Sequence, residues 1–184
     1  MTESQFSVDI LDAEVYIPVF CLFRGDRTFV LDRSKENVEI STGGGSLIYV
    51  KNIFPASEIS SFKAPDSLAI SIKTPIGNIT VACIYRSGSL NKSQDRQLLS
   101  SLRHLCTSDL SNEMIMVGDF NMRDVSWVTG NVVGSEASIS NEYMDMIADS
   151  GLNWYITDQI TRRRLVQGYG KRVPWTKYFV QMMD

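Results

Sequence analysis

The 184-residue sequence is short of cysteine, carries no surplus of positive charge and contains no long apolar run. Its three cysteines, Cys21, Cys83 and Cys106, are far apart and odd in number. That excludes a disulfide framework and a cysteine-built zinc site, and it reads as reduced, mostly buried thiols of an intracellular protein. No stretch is long and apolar enough to span a bilayer, and the N-terminus lacks the basic-then-apolar pattern of a secretory signal. No membrane partner is therefore expected. A formal charge of −3 excludes a general attraction to nucleic acid, so any DNA binding must come from a local basic patch. Internal repeats, low-complexity tracts and interdomain linkers are absent as well.

What is present has the balance of a soluble globular domain, with 43% hydrophobic and 21% charged residues. "VYIPVFCLFR", residues 15–24, is rich in β-branched and aromatic side chains and predicts a strand. "GGGSLIYVKN" opens on three glycines and becomes a strand through Leu47, Ile48, Tyr49 and Val50. No Lys-Ser/Thr pair follows those glycines, so a bend or close strand packing explains them better than a phosphate cradle. "SLAISIKTPIGNITVACIYR" alternates apolar and polar residues on either side of Pro75-Ile76-Gly77-Asn78, which predicts a hairpin.

Farther on, Leu98, Leu99, Leu102 and Leu105 share one face of a helix, with Ser93 as its expected N-cap. The strand "MIMVGDF" follows. Tyr143, Met144 and Ile147 then recur at helical spacing up to a stop at Gly151. "LNWYITD" predicts a last strand before Arg162, Arg163 and Arg164. Strands outnumber helices and the hairpin requires antiparallel pairing. The expected class is α/β of the α+β kind, not a doubly wound parallel fold.

"GDFN" ends an apolar strand with Asp119 and Asn121 two residues apart, which strand alternation puts on one face. A carboxylate beside an amide can orient and deprotonate water while fixing a phosphate oxygen. The same residues also suit an ordinary turn held by side-chain hydrogen bonds to backbone. The tetrapeptide alone leaves both readings open.

Taken in chain order, "MTES" with Glu3, "FRGDR" (residues 23–27), "GGGSLIYVK", "CIYRSG" with Tyr85 and Arg86, "GDFN" and "ITRRR" together resemble the endonuclease domain of non-LTR retrotransposons. That domain is part of the endonuclease/exonuclease/phosphatase superfamily, alongside the apurinic endonucleases. The likeness runs through residues 2–168. The resemblance implies a four-layered sandwich of two mostly antiparallel sheets flanked by helices, incomplete here, and a DNA-nicking phosphodiester hydrolase using Mg2+ or Mn2+. It implies Glu3 as the metal-binding carboxylate and Tyr85 as the contact to the scissile phosphate. Asp119 would activate the attacking water, and Asn121 would align phosphate and water. Arg86, Thr161 and Arg162 would meet DNA. A nuclear location and a reverse transcriptase encoded downstream in the ancestral element go with that family. The "FRGDR", "GGGSLIYVK" and "CIYR" set points to the retrotransposon branch and away from enzymes of lipid or inositol phosphates.

The sequence departs from the family's pattern at both ends. An Asn-bearing strand is expected before Glu3, and an L-D-x-V/I strand followed by S-D-H is expected after Thr161 and Arg162. The single histidine, His104, lies in "SLRHLC" on the first helix, where a structural or surface role fits. The tail over residues 169–184 matches neither expected strand. Trp175-Thr176 must be encoded TGG-ACN, so the frame one base earlier reads GAC, an Asp codon, at that point. With permitted third bases, residues 171–183 become Q-E-S-T-L-D-Q-V-F-C-T-N-D in that frame. The expectation is a partial domain over residues 1–168 and a tail created by a frame change, or else a genuine C-terminal variant. Little or no catalytic activity is expected of such a chain, with a non-catalytic remnant or binding module as the alternative.

Overall fold

The computed structural model describes residues 10–26, 45–88, 90–108, 113–122, 124–127, 129–133 and 138–153. Eight strands and two α-helices lie within them: β1 (Phe20–Asp26), β2 (Gly45–Lys51), β3 (Ala56–Glu58), β4 (Leu68–Thr74), β5 (Gly77–Tyr85), α1 (Lys92–Ser108), β6 (Glu113–Asp119), β7 (Val125–Ser126), β8 (Asn131–Val132) and α2 (Ile139–Asp149). A 3-10 turn over Asp12–Val15 precedes them. The predicted last strand from residue 154 onward and the tail over residues 169–184 lie outside the described residues.

The hairpin forms as the alternation requires. β4 and β5 pair antiparallel from Leu68 opposite Cys83 to Thr74 opposite Gly77, so the turn itself is only Pro75 and Ile76. β3 extends this sheet on one side in antiparallel pairing. β6 closes the other side parallel to β5, giving the order β3-β4-β5-β6. A parallel neighbour needs a crossover, and α1 supplies it.

Alternation along the strands gives this sheet two apolar faces. Ala69, Ala82, Ile84, Met114 and Met116 pack with Leu98, Leu99, Leu102 and Leu105 of α1 and with Tyr143, Met146 and Ile147 of α2. Leu68, Ile70, Val81, Cys83 and Val117 face the opposite way, onto Ile48 and Val50 of β2. β2 pairs antiparallel with β1 from Gly45 opposite Asp26 to Lys51 opposite Phe20. The described residues thus form three layers: two helices, a four-stranded sheet and a two-stranded sheet. Burial of each large aliphatic side chain in these faces contributes about 2 kcal/mol.

Two boundaries differ from expectation, each for a local reason. The first strand starts at Phe20, not at residue 15. Pro18 and Val19 (φ 64°) form the middle of a turn that the Phe20 N–H closes by donating to the Ile17 carbonyl at 3.2 Å. α1 begins at Lys92, so Ser93 falls inside its first turn. Asn91 is the cap instead: its Oδ1 accepts from the Gln94 N–H, and Gln94 Oε1 accepts from the Asn91 N–H, both at 3.0 Å. α2 is capped by Ser138, whose hydroxyl accepts from the Ser140 N–H. It ends as predicted at Gly151, which takes the left-handed conformation that closes a helix (φ 65°).

Candidate active site

Parallel pairing brings the carboxyl ends of β5 and β6 to one edge of the sheet, the usual position of a site in such sheets. The register sets Tyr85 opposite Asp119 and Ile84 opposite Gly118. Gly118 makes this approach possible. Its φ is 154°, and a β-carbon there would lie 1.8 Å from the Ile84 carbonyl oxygen. Glycine is therefore required one residue before the carboxylate. The Arg86 N–H donates to the Asp119 carbonyl at 2.8 Å and continues the ladder one residue past both strands.

Asp119 and Asn121 do come together, but not by strand alternation. β6 ends at Asp119, and Asn121 takes a left-handed conformation, with φ of 47°. The Asn121 N–H donates to Asp119 Oδ1 at 3.0 Å, and Asn121 Nδ2 donates to the Arg86 carbonyl at 2.9 Å. The turn reading and the site reading are thus the same geometry, since a hydrogen-bonded turn is what holds the carboxylate and amide side by side. Phe120, between them, points into the core and meets the Tyr143 ring edge-on at 6.5 Å. Asp119 is only 7% exposed, at the end of a strand whose neighbours are apolar. Tyr85 is half-buried, and its N–H donates to Ser67 Oγ at 3.0 Å.

Arg86 is 8% exposed and is engaged inside the protein. Its Nε and Nη2 donate to the two carboxylate oxygens of Asp95, each at 2.7 Å. Nη1 donates to the carbonyls of Phe120 and Asn121 at 3.1 and 3.3 Å. The guanidinium also lies 5.9 Å from the centre of the Tyr143 ring. Burial works against its charge, but the hydrogen bonds and charge of Asp95 outweigh it and raise the pKa above the usual arginine value. Burial and the neighbouring Asp95 charge both push the Tyr143 phenol up, so it stays protonated.

Asp95 had no role in the sequence reading, yet it leaves a trace there. It occupies the apolar stripe of α1, three, four and seven residues before Leu98, Leu99 and Leu102. Asp124 leaves no such trace. Its carboxylate accepts from the hydroxyls of Ser138 and Ser140, both at 2.6 Å, and ties the segment after the turn to the start of α2.

Glu3, Thr161 and Arg162 lie outside the described residues. Among the described residues no cluster of three or more acidic, histidine or cysteine side chains is arranged to hold a metal ion. The oxygen donors at the edge, from Asp119 and Asn121, are those a hard cation takes, and magnesium is commonly held by one or two carboxylates with water and substrate phosphate. His104 is exposed on α1, nine residues beyond Asp95 and so about 13 Å farther along the helix. It does not belong to this edge.

Residues 79–168, which contain β5, β6 and the turn, match the family model described as endonuclease-reverse transcriptase. That segment, just under half of the chain, is similar to the endonuclease-reverse transcriptase family. The structure of the chain is similar to the endonuclease domain of TRAS1, a telomere-specific non-LTR retrotransposon. The match has a TM-score of 0.60 at 15% identity and covers 90% of this chain and 68% of that one. At that identity the likeness concerns the fold, and it agrees with the expected mixed α/β sandwich. No curated protein matches the chain. Among the described residues no helix of this endonuclease-type fold is long and apolar enough to cross a membrane.

Proposed function

We propose that the edge formed by Tyr85, Asp119 and Asn121 is the catalytic corner of a metal-assisted phosphodiester hydrolase that nicks DNA. The observation that carries this reading is the turn itself, which holds a nearly buried carboxylate and an oriented amide at the open end of a parallel strand pair. Asp119 orients the attacking water and takes its proton. The Asn121 amide plane is fixed by the Arg86 carbonyl, and its second N–H and its oxygen align a phosphate oxygen and the water. Tyr85, in register with Asp119, contacts the scissile phosphate from the next strand.

Glu3 would supply the carboxylate that holds Mg2+ or Mn2+. When bound, the cation neutralises charge on the phosphate and the leaving oxygen. Thr161 and Arg162 meet the DNA backbone. The structure favours a bracing role for Arg86 over a DNA contact, because its guanidinium donors are directed at Asp95 and at two carbonyls. A DNA substrate goes with a nuclear site of action and a reverse transcriptase as partner, in keeping with the family description.

Turnover by this chain is slow in the same proposal, because its one histidine is on the exposed face of α1 and supplies no imidazole to the phosphate. The family match stops at residue 168, which supports a boundary there and an unrelated tail over residues 169–184. Sequencing the encoding DNA tests the frame-change account of that tail: an earlier frame that does not continue as domain-like sequence sinks it. Nicking of supercoiled plasmid with and without magnesium tests the function, with Asp119→Asn as the control against contaminating nuclease.

A further inference from the structure

We infer that Asp95 is a positioning residue for the Asp119–Asn121 turn and acts on it through Arg86. The inference rests on the reading of that turn as the catalytic corner. Asp95 is 3% exposed and stands where the helix pattern calls for an apolar side chain. A carboxylate there is costly to bury, and packing alone would be served by leucine. What the carboxylate adds is direction.

Its two oxygens take Nε and Nη2 of Arg86 in a planar fork, which fixes the guanidinium so that Nη1 falls on the carbonyls of Phe120 and Asn121. The return contact runs from Asn121 Nδ2 to the Arg86 carbonyl, and the Asn121 N–H then meets Asp119 Oδ1. A continuous chain of hydrogen bonds thus leads from α1 to the carboxylate at the sheet edge. It holds Asn121 in a left-handed conformation that L-residues seldom adopt. Tyr143 steadies the other end, its hydroxyl donating to the Asp95 carbonyl at 3.3 Å.

Two variants of the full chain test this. Asp95→Asn keeps the shape and removes the charge. The double variant Arg86→Met with Asp95→Leu replaces the buried pair by apolar groups, a change that commonly leaves stability intact. Amide exchange read by NMR is the first readout. The Asn121 amide should exchange about ten-fold faster in both variants, the loss of roughly one charge-linked hydrogen bond, while Val81 and Cys83 keep wild-type protection. The nicking rate should fall at unchanged KM, and the salt dependence of binding to a duplex oligonucleotide should not change.

Unchanged exchange at Asn121 overturns the inference. So does loss of protection at Val81 and Cys83 in both variants, which would make the pair a prop of the whole fold. A salt slope lower by about one in the double variant also overturns it, because Arg86 would then be a phosphate contact. If the wild-type chain fails to nick, the catalytic reading fails, and Asn121 exchange still decides whether Asp95 positions the turn.

Discussion

Asp95 and Arg86 face each other through two parallel hydrogen bonds of 2.7 Å, nine positions apart in sequence and almost fully enclosed. Breaking this pair from one side leaves an uncompensated buried charge. Arg86→Met alone should therefore cost about 3–5 kcal/mol, far more than an exposed ion pair such as Arg96–Glu142. Urea unfolding of Arg86→Met and Arg96→Met checks this. Similar small losses in both would mean that the pair is solvated.

Gly118 makes a sharper prediction about the strand edge. A methyl group there meets the Ile84 carbonyl, so Gly118→Ala must push β6 away from β5 or distort the end of both strands. The expected cost is about 3 kcal/mol, at the upper end for a single overpacked site. Gly77→Ala in the hairpin meets no neighbouring atom within 4 Å, although its φ of 146° is also unusual for alanine. It should cost less. Thermal midpoints of the two variants rank them.

Acid should loosen the start of α2 through Asp124. Burial alone would raise the pKa of this carboxyl, but the Ser138 and Ser140 hydroxyls and the Arg86 charge lower it below its ordinary value of 3.8. A folded value below the unfolded one means that its contribution is complete above the unfolded value and is lost as pH falls through the folded one. Asp124→Asn should remove the part of the stability loss that lies below pH 3.8. Stability curves of wild type and variant that stay parallel down the acid limb would contradict this.

Thiol chemistry separates the cysteines. Cys21 is exposed, while Cys83 and Cys106 are buried and pushed up by that burial, away from the reactive thiolate. A thiol reagent at neutral pH should modify Cys21 quickly in the native chain and all three cysteines only after denaturation. Fast modification of Cys83 would show that the face between β2 and β5 opens readily.

Much of the sheet was legible because its signals are local. The alternation on either side of Pro75-Ile76 fixed the hairpin, and the leucine stripe fixed α1. Where the reading missed, a single backbone conformation or a distant partner decided the outcome. Val19 in a left-handed turn delayed β1, and the reciprocal Asn91–Gln94 bonds moved the cap of α1. Asp119 and Asn121 do lie side by side as the sequence suggests, but for a different geometric reason, since a turn with Asn121 at positive φ replaces strand alternation. Asp95 was visible only as a charge in an apolar stripe. The Asp124–Ser138–Ser140 cluster joins residues that tertiary folding alone brings together, and no spacing announces it.

The most direct test is metal-dependent nicking of supercoiled plasmid by the full chain, compared with Asp119→Asn. Asparagine keeps an oxygen for the Asn121 N–H, so the turn persists while the base is lost. The account predicts slow nicking that requires magnesium or manganese and falls by about a hundred-fold or more in the variant. Nicking that survives in Asp119→Asn, or is absent from the wild type under all metal conditions, would contradict it and leave a fold of the endonuclease type that binds without cutting.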